Sequence, residues 1–192
     1  MRLQTIDIDP ANVSLTGFAS NVTGAAFTLT ANNSGDGLAH QVSIKNDTAN
    51  DHSAKTVTLV GTDANGKALT EVVTGPGVSA TVESTRYFLT LTSATPSATI
   101  GADTFDIGWV DEVVSKMYPL NWRNFSIPTI SVDVTGTIAY TLQQCFQNVL
   151  AGETPVWQDV GTLGHATAVR IRVDSYTDTA ELQAYIVHPD AY

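Results

Sequence analysis

Few residues in this chain could do chemistry, and their spacing does not favour it. The four histidines, His40, His52, His165 and His188, stand far apart. None forms the H-x-x-x-H or H-E-x-x-H pair that puts two imidazoles on one helix face for zinc, and one cysteine, Cys145, leaves no thiolate set. All four are expected in exposed loops. Asp63-Ala64-Asn65-Gly66 has the look of a calcium loop, but an EF-hand needs its glycine sixth and a glutamate twelfth. Here the glycine comes fourth and Lys67 follows, so the segment reads as an Asn-Gly hairpin turn. Gly75-Pro76-Gly77 lacks the lysine and helix start of a phosphate loop, and no G-x-S-x-G elbow presents a serine nucleophile. Glycoside hydrolysis would need two converging carboxylates. Asp7/Asp9 and Asp103/Asp106 fall where alternating acids form the solvent face of a strand. The expectation is a protein without catalytic residues, metal or cofactor, and not an enzyme.

Composition narrows the partners. A net charge of −10 with nine Lys+Arg opposes a phosphate-binding surface, because nucleic-acid affinity rests on many basic contacts. No run of 18 apolar residues suggests a membrane helix, and the opening MRLQTIDIDP lacks the apolar centre of a signal peptide. A lone cysteine suits synthesis in a reducing cytoplasm. Charged residues are 15% of the chain, well below the usual quarter. A surface so poor in charge and so rich in threonine is expected to be covered by neighbours or by copies of itself.

The elements that would position these residues are strands. In Lys55–Trp109, Val57 and Leu59 alternate with threonines, and the two-residue period returns at Val78-Ala80-Val82, Tyr87-Leu89-Leu91 and Phe105-Ile107-Trp109. Ala26–Ala31 reads as a further strand, and Asn46–Ser53 as a polar loop. Residues 1–20 have no clean period and read either as an edge strand pair or as an extended arm. Val110, Val113, Val114 and Met117 stand at helical spacing, so a short connecting helix is predicted over Val110–Tyr118, ended by Pro119. Alternation then resumes at Ile130-Val132-Val134, Ile138-Tyr140-Leu142, Val169-Ile171-Val173 and Leu182-Ala184-Ile186. Thr141–Leu150 fits either period, and the unbroken alternation from Ile138 favours a strand. The pattern predicts an all-β chain. It would comprise two antiparallel β-sandwich, jelly-roll-like domains, 1–115 and 119–192, joined by a short connector.

The stretch TVTLVGTDANGKALTEVVTGPGVSATVESTRYFLTLTSATPSATIGADTFDIGW resembles a family of tailed-bacteriophage virion structural proteins, over roughly Thr28–Trp109. ISVDVTGTIAYTLQQCF and ATAVRIRVDSYTD carry a looser echo. The resemblance implies a particle component in the virion, made in the host cytoplasm. Most simply it would be a decoration or cement protein on the capsid exterior that contacts the major capsid protein and itself, as a homotrimer if it caps threefold positions. A tail, collar or fibre-attachment protein and a host-carbohydrate-binding module are the alternatives. Trp109, Trp122 and Trp157 are expected as buried anchors in the two cores or at an interface, rather than as a ligand platform. Trp122, Phe125 and Trp157 are the interface candidates, since large aromatics dominate binding when centrally buried.

Overall fold

The computed structural model describes residues 2–120 and 127–188. The chain is all-β, built of antiparallel sheets, and divides into two compact units: residues 11–113, and residues 1–10 together with 114–192.

In the unit of residues 11–113 one sheet places β3 (Ala39–Asn46) between β6 (Thr81–Phe88) and β8 (Phe105–Val114), and β2 (Ser14–Val22) runs irregularly along β8. A second sheet has β4 (Thr56–Thr62) between β5 (Ala68–Thr74) and β7 (Thr90–Pro96). Alternation holds for Val57 and Leu59 of β4, whereas Tyr87-Leu89-Leu91 spans the break between β6 and β7 at Leu89. Val57 and Leu59 of β4, Leu69 and Val73 of β5, and Leu91 and Ala94 of β7 turn inward. They share one core with Val42, Ile44, Phe88, Phe105 and Ile107 of the other sheet. The β4–β5 hairpin closes on the Asn-Gly turn. Gly66 sits at φ 77° with its amide on the Asp63 carbonyl, and the Asp63 carboxylate accepts from the amides of Asn65 and Lys67.

Among the glycines where no Cβ would fit, Gly61 meets backbone and Gly17 meets an aromatic ring. A Cβ on Gly61 would lie 1.8 Å from the Thr90 carbonyl oxygen, at the bulge where β4 shifts register on β7. A Cβ on Gly17 would lie 2.0 Å from Cζ3 of Trp109, whose ring meets Phe18 edge-on at 5.0 Å and whose Nε1 donates to the Asn12 carbonyl. Trp109 is a buried anchor, as its size predicts.

The other unit carries a sheet ordered β1 (Arg2–Ile8), β14 (Glu181–His188), β10 (Thr129–Thr135). Beside it, β11 (Ile138–Cys145) lies between β12 (Gln158–Val160) and β13 (Ala168–Tyr176), and the two-residue β9 (Tyr118–Pro119) pairs with β13. Val169, Ile171 and Val173 are buried while Arg170, Arg172 and Asp174 face out, and Leu182, Ala184 and Ile186 are buried in turn. The ambiguous Thr141–Leu150 segment is strand as far as Cys145, then bends into a 3-10 turn at Val149–Ala151 capped by Gly152.

Four expectations need correction. The helix over Val110–Tyr118 does not form. β8 continues to Val114, and the adjacent burial of Val113 and Val114 with their β-branched stiffness favours extended backbone over helical spacing. Ala26–Ala31 is not a strand, although Phe27 is in the core; the segment hangs from β2 by the amides of Thr30 and Ala31 on the Phe18 carbonyl. Val78 belongs to the turn before β6, beside Ser79 at φ 47°. Within residues 2–20 the strands Arg2–Ile8 and Ser14–Val22 form, but not as a pair: β2 runs along β8, and residues 2–8 join the second unit, pairing in register from Arg2↔His188 to Ile8↔Leu182.

That last pairing makes a prediction. Ile6 and Ile8 are fully buried, and removing their side chains from water is worth about 1.5–3 kcal/mol each. A fragment of residues 114–192 is expected to lack a cooperative unfolding transition by circular dichroism and to gain one when a peptide of residues 1–10 is added. A fragment of residues 11–113 is expected to unfold cooperatively alone.

Candidate functional site

The polar groups best placed for chemistry lie in two inward-facing histidine clusters of the unit of residues 11–113. The turn at residues 32–37, with Gly35 and Gly37 at positive φ, folds Asp36 back toward the start of β3. There its carboxylate accepts from the amides of Ala11 (2.8 Å) and Leu38 (3.0 Å), the Ser34 hydroxyl (2.6 Å) and His40 Nε2 (2.7 Å). The other ring nitrogen of His40 faces the Val110 carbonyl at 3.2 Å. A carboxylate and a carbonyl can only accept, so each of these contacts is made by a ring N–H of His40. Both side chains are buried, at 5% exposure for Asp36 and 1% for His40. Burial alone would raise the Asp36 pKa. The hydrogen bond and charge of His40, with the Ala11 amide and Ser34 hydroxyl, outweigh it and bring the value down to about 2.

The second cluster ties down the 46–55 loop. His52 Nδ1 receives from Lys55 Nζ at 2.9 Å, which leaves Nε2 to donate to Asp103 at 2.8 Å, while Asn50 donates to both Asp103 oxygens. The Asn50 bond chiefly, and then His52, hold the Asp103 pKa below its usual value. The His52 ring stands edge-on to Phe105 at 5.1 Å. Asn46 uses its whole amide: Nδ2 donates to the carbonyls of Asn50 and Gly77, and Oδ1 accepts from the amide and hydroxyl of Thr48.

The Lys55–His52–Asp103 chain has the order of a proton relay, but His52 is buried and both ring nitrogens are already bonded. The Asp36 carboxylate is likewise occupied by four donors. These clusters hold loops in place. Among the described residues no group of three His, Cys, Asp or Glu side chains is arranged to hold a metal ion.

The histidines are therefore not the exposed loop residues expected. His40, His52 and His188 are buried, the last bonded to Gln4, and His165 alone is exposed. The physical reason is that Asp36, Asp103 and Gln4 supply the hydrogen bonds that make burial tolerable. The Asp36-x-x-x-His40 spacing was a local signal for the first pair; nothing local joins His52 to Asp103, 51 residues away. Asp106 also departs from the strand-surface reading: it is buried and accepts from the Asn21 amide.

Of the interface candidates, Trp122 and Phe125 lie outside the described residues. Trp157 is half-buried. It lies against Cys145, Val149 and Ala168, with the Arg170 guanidinium 4.5 Å from its ring centre. Arg170 is held by Gln143, which donates in turn to Asp159.

Apolar side chains, from buried Leu142 to exposed Tyr140, border a groove elsewhere in that unit. Ile130 and Val132 of β10, Tyr140 and Leu142 of β11, and Val160 of β12 line an open groove of about 420 Å³. β10 is the edge of its sheet; among the described residues no strand pairs with its free side, and Thr129–Thr135 contains neither proline nor lysine. Backbone donors and acceptors next to apolar side chains can take up an added strand. No family model, curated protein or solved structure matches the chain.

The Asp36–His40 pair sets an acid limit on stability. Because the Asp36 pKa is lowered on folding, from 3.8 to about 2, the unfolded chain binds the extra proton between those values. Its contribution is complete above the unfolded value and drains away as pH falls toward 2. Asp36→Asn is expected to lower unfolding free energy at neutral pH by about 2–4 kcal/mol, since it removes a carboxylate that accepts from four largely buried donors and whose lowered pKa stabilises the fold. Denaturant titrations from neutral pH to the acid limit should show a flatter profile below pH 4 for the variant than for the parent chain.

Proposed function

We propose that this chain is a non-enzymatic structural protein of a tailed-bacteriophage particle, a decoration or cement protein on the capsid exterior that steadies the shell by contact alone. The resemblance over Thr28–Trp109, the acidic charge and the inward-turned histidine clusters all support this reading. The observation that carries it is the groove beside β10, where an unpaired strand edge borders Ile130, Val132, Tyr140 and Val160. We read both units as antiparallel sandwiches of the jelly-roll type, the shape in which such an edge stays open.

The physics asks little of any one copy. A strand of a coat subunit added to β10 would gain main-chain hydrogen bonds along the edge and bury the groove's aliphatic side chains. A standard contact covers about 800 Å² per partner, and many copies around a closed shell add avidity that no single contact supplies. No bond is made or broken, so no residue needs a free base or nucleophile. A tail or collar position would use the same surface at lower copy number.

Uptake by expanded shells that lack the protein tests the reading. The parent chain is expected to bind in hundreds of copies per shell. Val132→Asp, which sets a charge in the groove, should reduce bound copies at least about tenfold at equal concentration. Binding of only six to a dozen copies would move the protein to the neck or tail. Absence of binding to shells and tails alike would overturn the proposal.

A further inference from the structure

The outer face of the β5-β4-β7 sheet carries no charged side chain, although the chain as a whole carries −10. Register fixes its composition. Thr58 lies between Val72 and Thr95, and Val60 between Thr70 and Ser93. The rows on either side pair Thr56 with Thr74, and Thr62 with Ala68 and Thr90. Glu71, the one charged residue of β5, turns off this face: its carboxylate accepts from the amide and hydroxyl of Thr85 and the amide of Arg86. At the middle, Val60 and Val72 are diagonal neighbours, 36% and 60% exposed, ringed by hydroxyls.

We infer that this face is a homotypic contact, occupied by the same face of a second copy across a twofold axis. Two arguments select a second copy. The first is charge. The outer face of the β1-β14-β10 sheet presents Asp7, Asp133 and Glu181, so two copies meeting there oppose like charges. The β5-β4-β7 face opposes none. The second is hydrogen bonding. A hydroxyl both donates and accepts, so an array of threonines can satisfy an identical array, whereas a carboxylate face, which only accepts, cannot satisfy itself. Aliphatic side chains at the centre and polar groups around them are the anatomy of a self-complementary interface.

The size of the face sets the strength. Three strands about 4.8 Å apart and seven residues long at about 3.3 Å each cover roughly 300 Å², well under the usual 800 Å² per partner. The contact is therefore weak between free copies and gains strength where copies are held side by side. This deepens the particle reading but is a property of the isolated chain.

Sedimentation of the full chain from about 10 µM to about 1 mM tests it. The average mass of the parent chain is expected to rise toward that of a dimer. Val72→Asp and, across the face, Thr95→Asp should each weaken association at least about tenfold, because a carboxylate would be buried against an apolar or hydroxyl surface. Val78→Asp, an exposed position off this face, should leave it unchanged. Near-ultraviolet circular dichroism confirms that the variants, all at exposed positions, keep the fold. A parent chain that stays monomeric throughout overturns the inference, as does association indifferent to Val72→Asp. If the parent chain is monomeric and Val72→Asp loses uptake by shells, the face belongs to a coat subunit and the second-copy assignment is wrong, with the proposed function intact. Dimerisation lost in Val72→Asp, in a protein that shells never take up, supports the inference and sinks the particle reading.

Discussion

The seat of Trp109 on the backbone of Gly17 is among the tightest contacts in the unit of residues 11–113, and much of that unit depends on it. With no Cβ at Gly17, the indole lies flat along β2, meets Phe18 edge-on, and donates to Asn12 at the mouth of the core. The stretch from residue 11 to 14 is thereby held over β8, where the Ala11 amide reaches Asp36. His40 lies 6.0 Å from the same indole and closes the circuit through the Val110 carbonyl. A side chain at Gly17 would displace the tryptophan, the largest residue of the core, and with it the cover over a buried ion pair. Tight backbone approach, apolar packing and charge burial are in this way one arrangement.

Much of the fold was legible because one face of each strand is buried and the other is not. β4, β13 and β14 announce themselves by strict alternation, and the Asn-Gly turn gives the register of β4 on β5. Where both faces are covered the signal fails. The valines from Val110 to Val114 fit a helical period by coincidence, since an extended strand buried on successive residues has no period of two to display. Phe27 shows the converse: a core residue can be delivered by irregular backbone hung from a neighbouring carbonyl, which no pattern in the sequence marks.

The polar clusters were legible only in part, for a related reason. A histidine is apolar or polar according to its partner, and a one-dimensional pattern does not show who the partner is. Asp36 and His40 stand four residues apart and could have been paired on sight. His52 needs Lys55, close by, and Asp103, which only the fold brings near. The apolar groove beside β10 was illegible because its residues come from three separate strands, each with an ordinary alternation of its own. By contrast, the low charge and high threonine content could be read directly from the composition, and the β5-β4-β7 face is one place where they coincide.

The pairing of β1 with β14 orders events in time. During synthesis the residues of β1 emerge well before their partners, which lie some 180 positions downstream, so the strand must wait for the intervening residues. Residues 11–113 have their contacts within reach and can fold in the interval. A contact between such distant positions is slow to form because the loop must close before any stabilisation is gained. Until then Ile6 and Ile8 are exposed on a strand without a partner, the condition in which strands pair with the wrong chain. Asp7 and Asp9 alternate with them along the sequence. An exposed carboxylate beside a strand is one of the devices that blunt edge-to-edge pairing, and Asp7 is in that position before β14 arrives.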